Sequence, residues 1–294
     1  MLSLKSSNNS SATKFRKAKP NRLGGKLIGW WDFTDASTLF QTVGGTAATA
    51  TDDPIGQVLN KAYNTKWGRA GDNGLGQYLY ALTTARPLLK YDVNKIIYAD
   101  FDGSNDEMTA TSDLSKGGVG GDKLTDSSIT YAAFTIFAVF NPHDATVSAD
   151  QYIFRIVSDN SGDICLRIDN DTTDTIQGTN ANGGTRVNKT VASGVTNATG
   201  VQLWTWVSNC DNNGNTSDLY KNGDTSTGAG DQPGNSGSVD LTGTSNNNRV
   251  SIGGSGTSTS EYDGAVYEIL FYNALLSDNE IKTINRYLTT KYGL

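Results

Sequence analysis

The apolar and polar positions of the chain fall into short β segments divided by turn residues, and only the last segment has a helical period. LIGWWDFTDASTLF (27–40) opens with a strand that runs into a polar turn. Residues 41–95 read as long loops with two short strands. IIYADFDGSNDEMTAT (96–111) reads as strand, tight turn, strand, and SITYAAFTIFAVFNP (128–142) is apolar on both faces, as a central buried strand is. QYIFRIVSD and DICLRIDN flank Asn160-Ser161-Gly162, a hairpin signal, and VQLWTWVSNC and SDLYKNGD flank DNNGNT. NRVSIGG (248–254) and GAVYEILFYN (264–273) are the last two strands, with Gly/Ser/Thr/Asn loops over 223–248 and 253–263. Strands that recur between turns with no helix interleaved predict an all-β fold, an antiparallel sandwich rather than βαβ units.

The chain then changes period. Ser277 and Glu280 have capping-box spacing, with Leu276 and Ile281 at the staple positions around them. Ile281, Ile284 and Leu288 make one apolar stripe, and Gly293 stands where a left-handed C-terminal cap is needed. This pattern predicts a short C-terminal helix that covers a sheet edge or a sandwich end.

Composition sharpens this picture at the N-terminus. Of 24 basic and 30 acidic residues, seven Lys/Arg and no acid lie in residues 1–26, which leaves 17 against 30, a formal −13, for the rest. Such a Ser/Asn-rich basic arm buries too little apolar surface to fold alone. It suits an acidic protein surface, nucleic acid or solvent. It also lacks the apolar run of a secretory signal. The longest near-apolar stretch, residues 131–140, is too short for a membrane-spanning helix, so no membrane partner is expected. Cys165 and Cys210 stand far apart outside any metal-binding spacing, and whether they pair is open.

Several motifs together resemble the laminin-G-like, concanavalin A-like jelly-roll family. FDGSNDEMTAT resembles its early strand–turn–strand, FTIFAVFNP its central strand, and WTWVSNCDNNGNTSDLYKNGD its hairpin. NRVSIGG followed by YDGAVYEILFYNALLSDNEI resembles its closing segment over some forty residues. Residues 27–95 are similar to the preamble found before such domains in bacterial and phage proteins. The resemblance implies a jelly-roll β-sandwich over 27–294, with 27–95 as loop-rich preamble and 96–294 as the motif region, after an extended arm at 1–26. That fold hosts lectins, glycosidases, adhesion modules and virion components, so function has to come from a site.

Candidate chemistry is sparse. No strand carries the closely spaced carboxyl pair of a retaining glycosidase. Glu268, on one face of the last strand with Val266, Leu270 and Tyr272 by simple alternation, reads as a hydrogen-bonded structural acid, which the family commonly has there. His143, the one histidine, lies in a turn, and there is no nucleophile elbow for it to serve. The Asp/Asn-rich loops supply Asp159, Asp163, Asp169, Asp171, Asp211 and Asn213 as candidate calcium ligands, a cofactor such domains often bind, although the same residues are ordinary turn chemistry. Trp67 and Trp206 are the candidate sugar platforms, with core packing as the competing role.

The resulting expectation is a non-enzymatic virion component: a capsid decoration protein, head fibre or tail part, homo-oligomeric in its assembly. Lys5, Lys14, Phe15, Arg16, Lys17, Lys19 and Arg22 would engage other virion proteins. If the chain is not viral, a secreted or cell-surface location is expected. The alternative is a carbohydrate-binding module for cell-surface glycans, and a glycan hydrolase centred on Glu268 comes third.

Overall fold

The computed structural model describes residues 19–62, 78–111, 130–131, 133–143, 149–157, 162–169, 175–182, 185–191, 200–210, 217–223, 239–240, 249–255 and 260–294. In chain order the strands begin with β1 (Leu27–Asp32), β2 (Leu39–Phe40), β3 (Gln57–Leu59), β4 (Tyr78–Tyr80), β5 (Leu88–Tyr91) and β6 (Ile97–Asp102). Next come β7 (Met108–Thr111), β8 (Thr130–Tyr131), β9 (Ala133–Pro142), β10 (Gln151–Val157), β11 (Asp163–Asp169) and β12 (Thr175–Asn182). The last are β13 (Thr185–Val191), β14 (Gln202–Asn209), β15 (Ser217–Lys221), β16 (Val239–Asp240), β17 (Arg249–Ile252) and β18 (Asp263–Tyr272), followed by the helix α1 (Asp278–Tyr292). A 3₁₀ turn over Pro20–Lys26 precedes β1.

Among the described residues the pairings are antiparallel and build two stacked sheets, the sandwich that the alternation predicts and the jelly roll that the resemblance implies. One sheet runs β15-β14-β9-β18-β6-β5, with β1 also on β18; the other runs β13-β12-β11-β10-β17-β7-β4-β3-β2, and β8 and β16 make a separate pair. The chain changes sheet between β6 and β7, at a turn where Gly103 has φ +70° and Asp106 accepts the Asp102 amide at 3.0 Å. It changes again from β9 to β10, from β13 to β14 and from β17 to β18.

The core between the sheets is aromatic. Trp31, Phe134, Phe154, Trp206 and Phe271 are fully buried there, and Phe134 meets Trp206 edge-on with ring centroids 4.7 Å apart. The strands at 175–191 escape the pattern reading for the same reason. Gly178 of β12 lies over Trp206, so close that an added Cβ would stand 2.6 Å from the indole. Close packing against a large ring demands a glycine in mid-strand, which breaks the apolar alternation.

A second apolar layer coats the outer face of the seven-stranded sheet. Leu27, Phe137, Val139, Leu203, Leu270 and Tyr272 from the strands meet Leu276, Ile281, Ile284 and Leu288 around the helix. Burying each such side chain contributes about 1.5–3 kcal/mol, so this layer fastens the helix to the sheet. Its ends are as the sequence predicts: the Ser277/Glu280 capping box forms, and Gly293 caps the C-terminus at φ +72°.

The root of the basic arm belongs to this layer. Leu23 packs on it, the Tyr272 hydroxyl donates to the Pro20 carbonyl at 3.3 Å, and Lys26 pairs with Glu280 at 2.8 Å. The body therefore starts at Pro20. Lys5, Lys14, Phe15, Arg16 and Lys17 lie outside the described residues; Lys19 is exposed, and Arg22 is part of the 3₁₀ turn. Among the described residues no helix is long and apolar enough to cross a membrane.

Candidate functional site

Buried charge gathers on both outer faces of the sandwich. On the helix-covered face it centres on Glu268. Simple alternation would align this residue with Val266, but a bulge in β18 between Val266 and Glu268 shifts the register against β9. Val266 consequently points into the inter-sheet core, while Glu268 joins Tyr267 beneath the helix. The Trp30 indole N–H donates to Oε1 at 2.7 Å, and the Lys291 ammonium and Tyr292 hydroxyl donate to Oε2, each at 2.7 Å. Lys291 also bonds Asp32 at 3.0 Å, and Lys61 bonds Asp32 and Asp35, each at 2.8 Å.

Electrostatics within this cluster are mixed. Burial and the neighbouring Asp32 push the Glu268 carboxyl up, while Lys291 and Tyr292 pull it back. Burial also pushes Asp32 up, but the two lysines outweigh it and hold Asp32 below the usual carboxylate range. Glu268 is 0% exposed and its oxygens take three donors. No substrate reaches it, so the carboxylate is a clasp between β18, β1 and the end of the helix.

The opposite face, the outside of the nine-stranded sheet, is built differently. In β10 a second bulge turns both Ile153 and Phe154 inward and leaves Tyr152 and Arg155 outward. In β11 Ile164, Leu166 and Ile168 point inward, so Asp163, Cys165, Arg167 and Asp169 point out; in β12 Ile176 points inward, and Gln177 and Thr179 point out. Register places Tyr152 opposite Arg167 and Gln177, and Arg155 opposite Cys165 and Thr179.

The polar groups on this face lock one another. Arg155 grips Asp163 through Nε and Nη2, both at 3.1 Å, and reaches the Ser255 carbonyl at 3.4 Å. Arg167, 7% exposed, donates to Gln177 at 3.0 Å and to the Tyr152 hydroxyl at 3.3 Å, lies 3.3 Å from Asp169 and bonds Asp150. Gln177 donates to Asp169 at 3.1 Å. Both guanidiniums lie by the Tyr152 ring, at 4.8 Å for Arg155 and 5.8 Å for Arg167. Asp150, Asp163 and Asp169 each accept a hydrogen bond within this array. Burial pushes the Cys165 thiol up to about 12, which makes it inert. At the near edge burial pushes the Glu107 carboxyl up. The strip is a dense, fixed array of donors and acceptors around one aromatic ring; its centre is buried, with Tyr152 8% and Gln177 5% exposed, and its margin at Arg155 and Asp169 is half-buried.

The residues singled out from sequence fare unevenly. Asp163 and Asp169 sit at opposite ends of β11 as arginine partners, not together in a loop, while Asp159, Asp171, Asp211, Asn213 and Trp67 lie outside the described residues. Among the described residues no group of three or more His, Cys, Asp or Glu is placed to hold a metal. Trp206 is no platform: it is fully buried between the sheets, because β14 faces it inward beside Trp204. Cys165 and Cys210 are both buried and unbridged. His143 stands in its turn 3.6 Å from Asp100 and 3.5 Å from Asp263. The strip itself was missed, although Arg155 and Arg167 interrupt otherwise apolar strands on either side of a short hairpin turn, a signal present in the sequence.

No family model and no curated protein matches the chain. Among solved structures the chain is similar to the CBM40 of the Ruminococcus gnavus IT-sialidase bound to α2,3-sialyllactose, at 18% identity over 67% of this chain and 97% of that one, with TM-score 0.44. It is also similar to domain 4 of AbnA, a GH43 extracellular arabinanase from Geobacillus stearothermophilus, in complex with arabinotriose, at 13% identity over 89% and 98% with TM-score 0.47. A third is the heptameric SAP-like pentraxin from Limulus polyphemus, at 14% over 53% and 70% with TM-score 0.39. At these scores no residue and no ligand passes from them to this chain, whose sandwich rests on its own strand pairing.

Proposed function

We propose that this chain is a non-enzymatic, glycan-binding jelly-roll module that takes its ligand at the margin of the polar strip on β10, β11 and β12, where Arg155 and Asp169 are half-buried. The observation that carries the reading is the set of interlocked side chains around Tyr152: Arg155 with Asp163, and Arg167 with Gln177 and Asp169. A sugar presents many hydroxyls in a fixed ring, each both donor and acceptor. Partners already held in place lose little freedom on binding it, which is where preorganised sites gain affinity. An arginine has five N–H donors, of which Arg155 commits three here.

A glycan array probed with the full chain tests this, in calcium and in chelator, with sialyllactose and arabinotriose among the probes. Specific binding that disappears in Arg155→Ala is expected. An array without hits in either buffer rejects the reading, and equal binding with and without calcium removes the proposed calcium cofactor.

A second reading keeps the virion as the setting, with the basic leader as the anchor to a particle. It rests on the charge of residues 1–18 and on the way Pro20–Lys26 fixes the leader's root to the helix side of the body. Removing residues 1–18, and not the structural turn that follows, is the clean test. The truncated chain should keep its melting temperature and lose attachment to an acidic partner; unchanged assembly rejects the anchor.

A further inference from the structure

We infer that copies of this chain associate head to tail, the basic leader of one copy docking on the acidic end of the seven-stranded sheet of the next. The inference rests on the anchor reading above and makes a second copy the leader's acidic partner. That acidic end lies where β6 meets β18. Ala99 and Phe101 point into the core, so Asp100 and Asp102 point out. Register sets Asp102 opposite Asp263 and Asp100 opposite Ala265. These carboxylates are accessible: Asp102 is exposed, and the side chains of Asp100 and Asp263 are 24% and 33% exposed. Their countercharge is thin. His143 stands 3.6 Å from Asp100 and 3.5 Å from Asp263, and Asp100 Oδ1 has no hydrogen-bond partner among the described residues. Lys90, the other cation acting on Asp100, is paired with Asp52. Burial pushes the Asp100 carboxyl up, and Asp263 and Asp102 add to this against His143 and Lys90. Cations with N–H donors brought here would relieve that repulsion.

The opposite end of the same strand is basic. β18 runs ten residues from Asp263 to Tyr272, about 30 Å, and the Tyr272 hydroxyl bonds the Pro20 carbonyl, where the body begins. Lys19 is exposed beside it, and Lys282 and Arg286 are exposed on the helix that follows this end of β18. Residues 1–18 add Lys5, Lys14, Arg16 and Lys17 and no acid. Opposite charge at the two ends of one strand is complementary head to tail, a heterologous contact that builds a ring or a filament. Residues 1–18, fully extended, span at most about 60 Å, enough to bridge two bodies. To reach the acidic end of its own copy, the leader would have to run back along the helix past Lys282 and Arg286, which repel it.

Sedimentation velocity on the full chain tests this, over a range of concentrations and at low and high salt. Low salt should give oligomers that grow with concentration, and about 0.5 M salt should return the monomer. Asp100→Asn/Asp263→Asn at the acidic end and Lys14→Glu/Arg16→Glu/Lys17→Glu in the leader should each weaken association by about tenfold or more. The leader variant changes no residue of the sandwich, so it keeps the test decisive should the first variant fail to fold. A mixture of the two variants should form a one-to-one pair and nothing larger, because one working leader and one working acidic end remain between them. A wild type that stays monomeric at every concentration overturns head-to-tail association; if that monomer still attaches through its leader to another acidic partner, the anchor reading stands. Undiminished association of a folded Asp100→Asn/Asp263→Asn chain overturns the acidic end as the docking surface.

Discussion

The two outer faces of this sandwich solve the same problem in opposite ways. Each carries buried carboxylates paired with long cations. Beneath the helix, Glu268, Asp32, Lys61 and Lys291 are roofed by apolar side chains, and the partners come from elements far apart in the chain. On the nine-stranded sheet, Arg155, Asp163, Arg167 and Asp169 pair sideways between neighbouring strands. The first arrangement ties the C-terminus to the N-terminal strand and excludes solvent. The second fixes the shape of a polar face, and joins a distant segment only where Arg155 donates to the Ser255 carbonyl. Buried charge alone therefore does not mark a functional site, and exposure does not separate the faces either: the lysines by the helix are 23% and 24% exposed, Arg155 and Arg167 19% and 9%.

The largest expected effect breaks the first face. Glu268→Ala leaves the Trp30 and Tyr292 donors without their acceptor and Lys291 with Asp32 as its remaining partner here, and removing one partner of a buried ion pair costs about 3–5 kcal/mol. Glu268→Gln keeps one carbonyl acceptor and should cost less. Chemical denaturation of both variants measures the difference. A Glu268→Ala cost below about 1 kcal/mol would mean the clasp does not hold the helix, and the contrast between the faces would lose its basis.

A smaller effect, at the seam where the chain passes from one sheet to the other, sharpens the comparison through pH. Burial, with Asp102 nearby, raises the Asp106 carboxyl to about 6. Its folded pKa thus lies above the unfolded value. The folded state holds a proton that the unfolded chain has already released, so stability is highest below the unfolded pKa and declines as pH rises through about 6. Asp106→Asn can still accept the Asp102 amide. It should stabilise the protein by about 1–2 kcal/mol at pH 8 and leave it unchanged at pH 3. Equal effects at both pH values would show that ionisation of this turn carries no cost.

Much of this architecture was legible in the sequence because it depends on short-range rules. The capping box at Ser277 and Glu280, the stripe through Ile281, Ile284 and Leu288 and the Gly293 cap are set within one helix. Alternation exposed the long strands β9, β14 and β18 because their burial is nearly uniform. The missed parts depend on partners distant in the chain. β12 needs Gly178 because of Trp206, and Glu268 faces the helix because of a bulge that alternation cannot register. Asp163 and Asp169 read as loop ligands because calcium loops and hairpin turns share residue types, and only the hairpin register sets them beside arginines on strands.

The smallest stability change is the most discriminating. In the double variant Arg155→Ala/Asp163→Ala both members of a pair leave together, so no uncompensated charge stays behind. The pair is lateral and partly solvated, at 19% and 9% side-chain exposure, and its joint removal should cost under about 1 kcal/mol. Arg155→Ala alone should cost more, since Asp163 is then left at the surface of the strip without its cation. A double-mutant cycle, followed by denaturation and by glycan binding in parallel, separates the two roles. Near-native stability with binding abolished is the signature of a recognition surface. A loss of several kcal/mol in the double variant would make the strip a second clasp, equivalent to the one under the helix, and the asymmetry that points to this face would be gone.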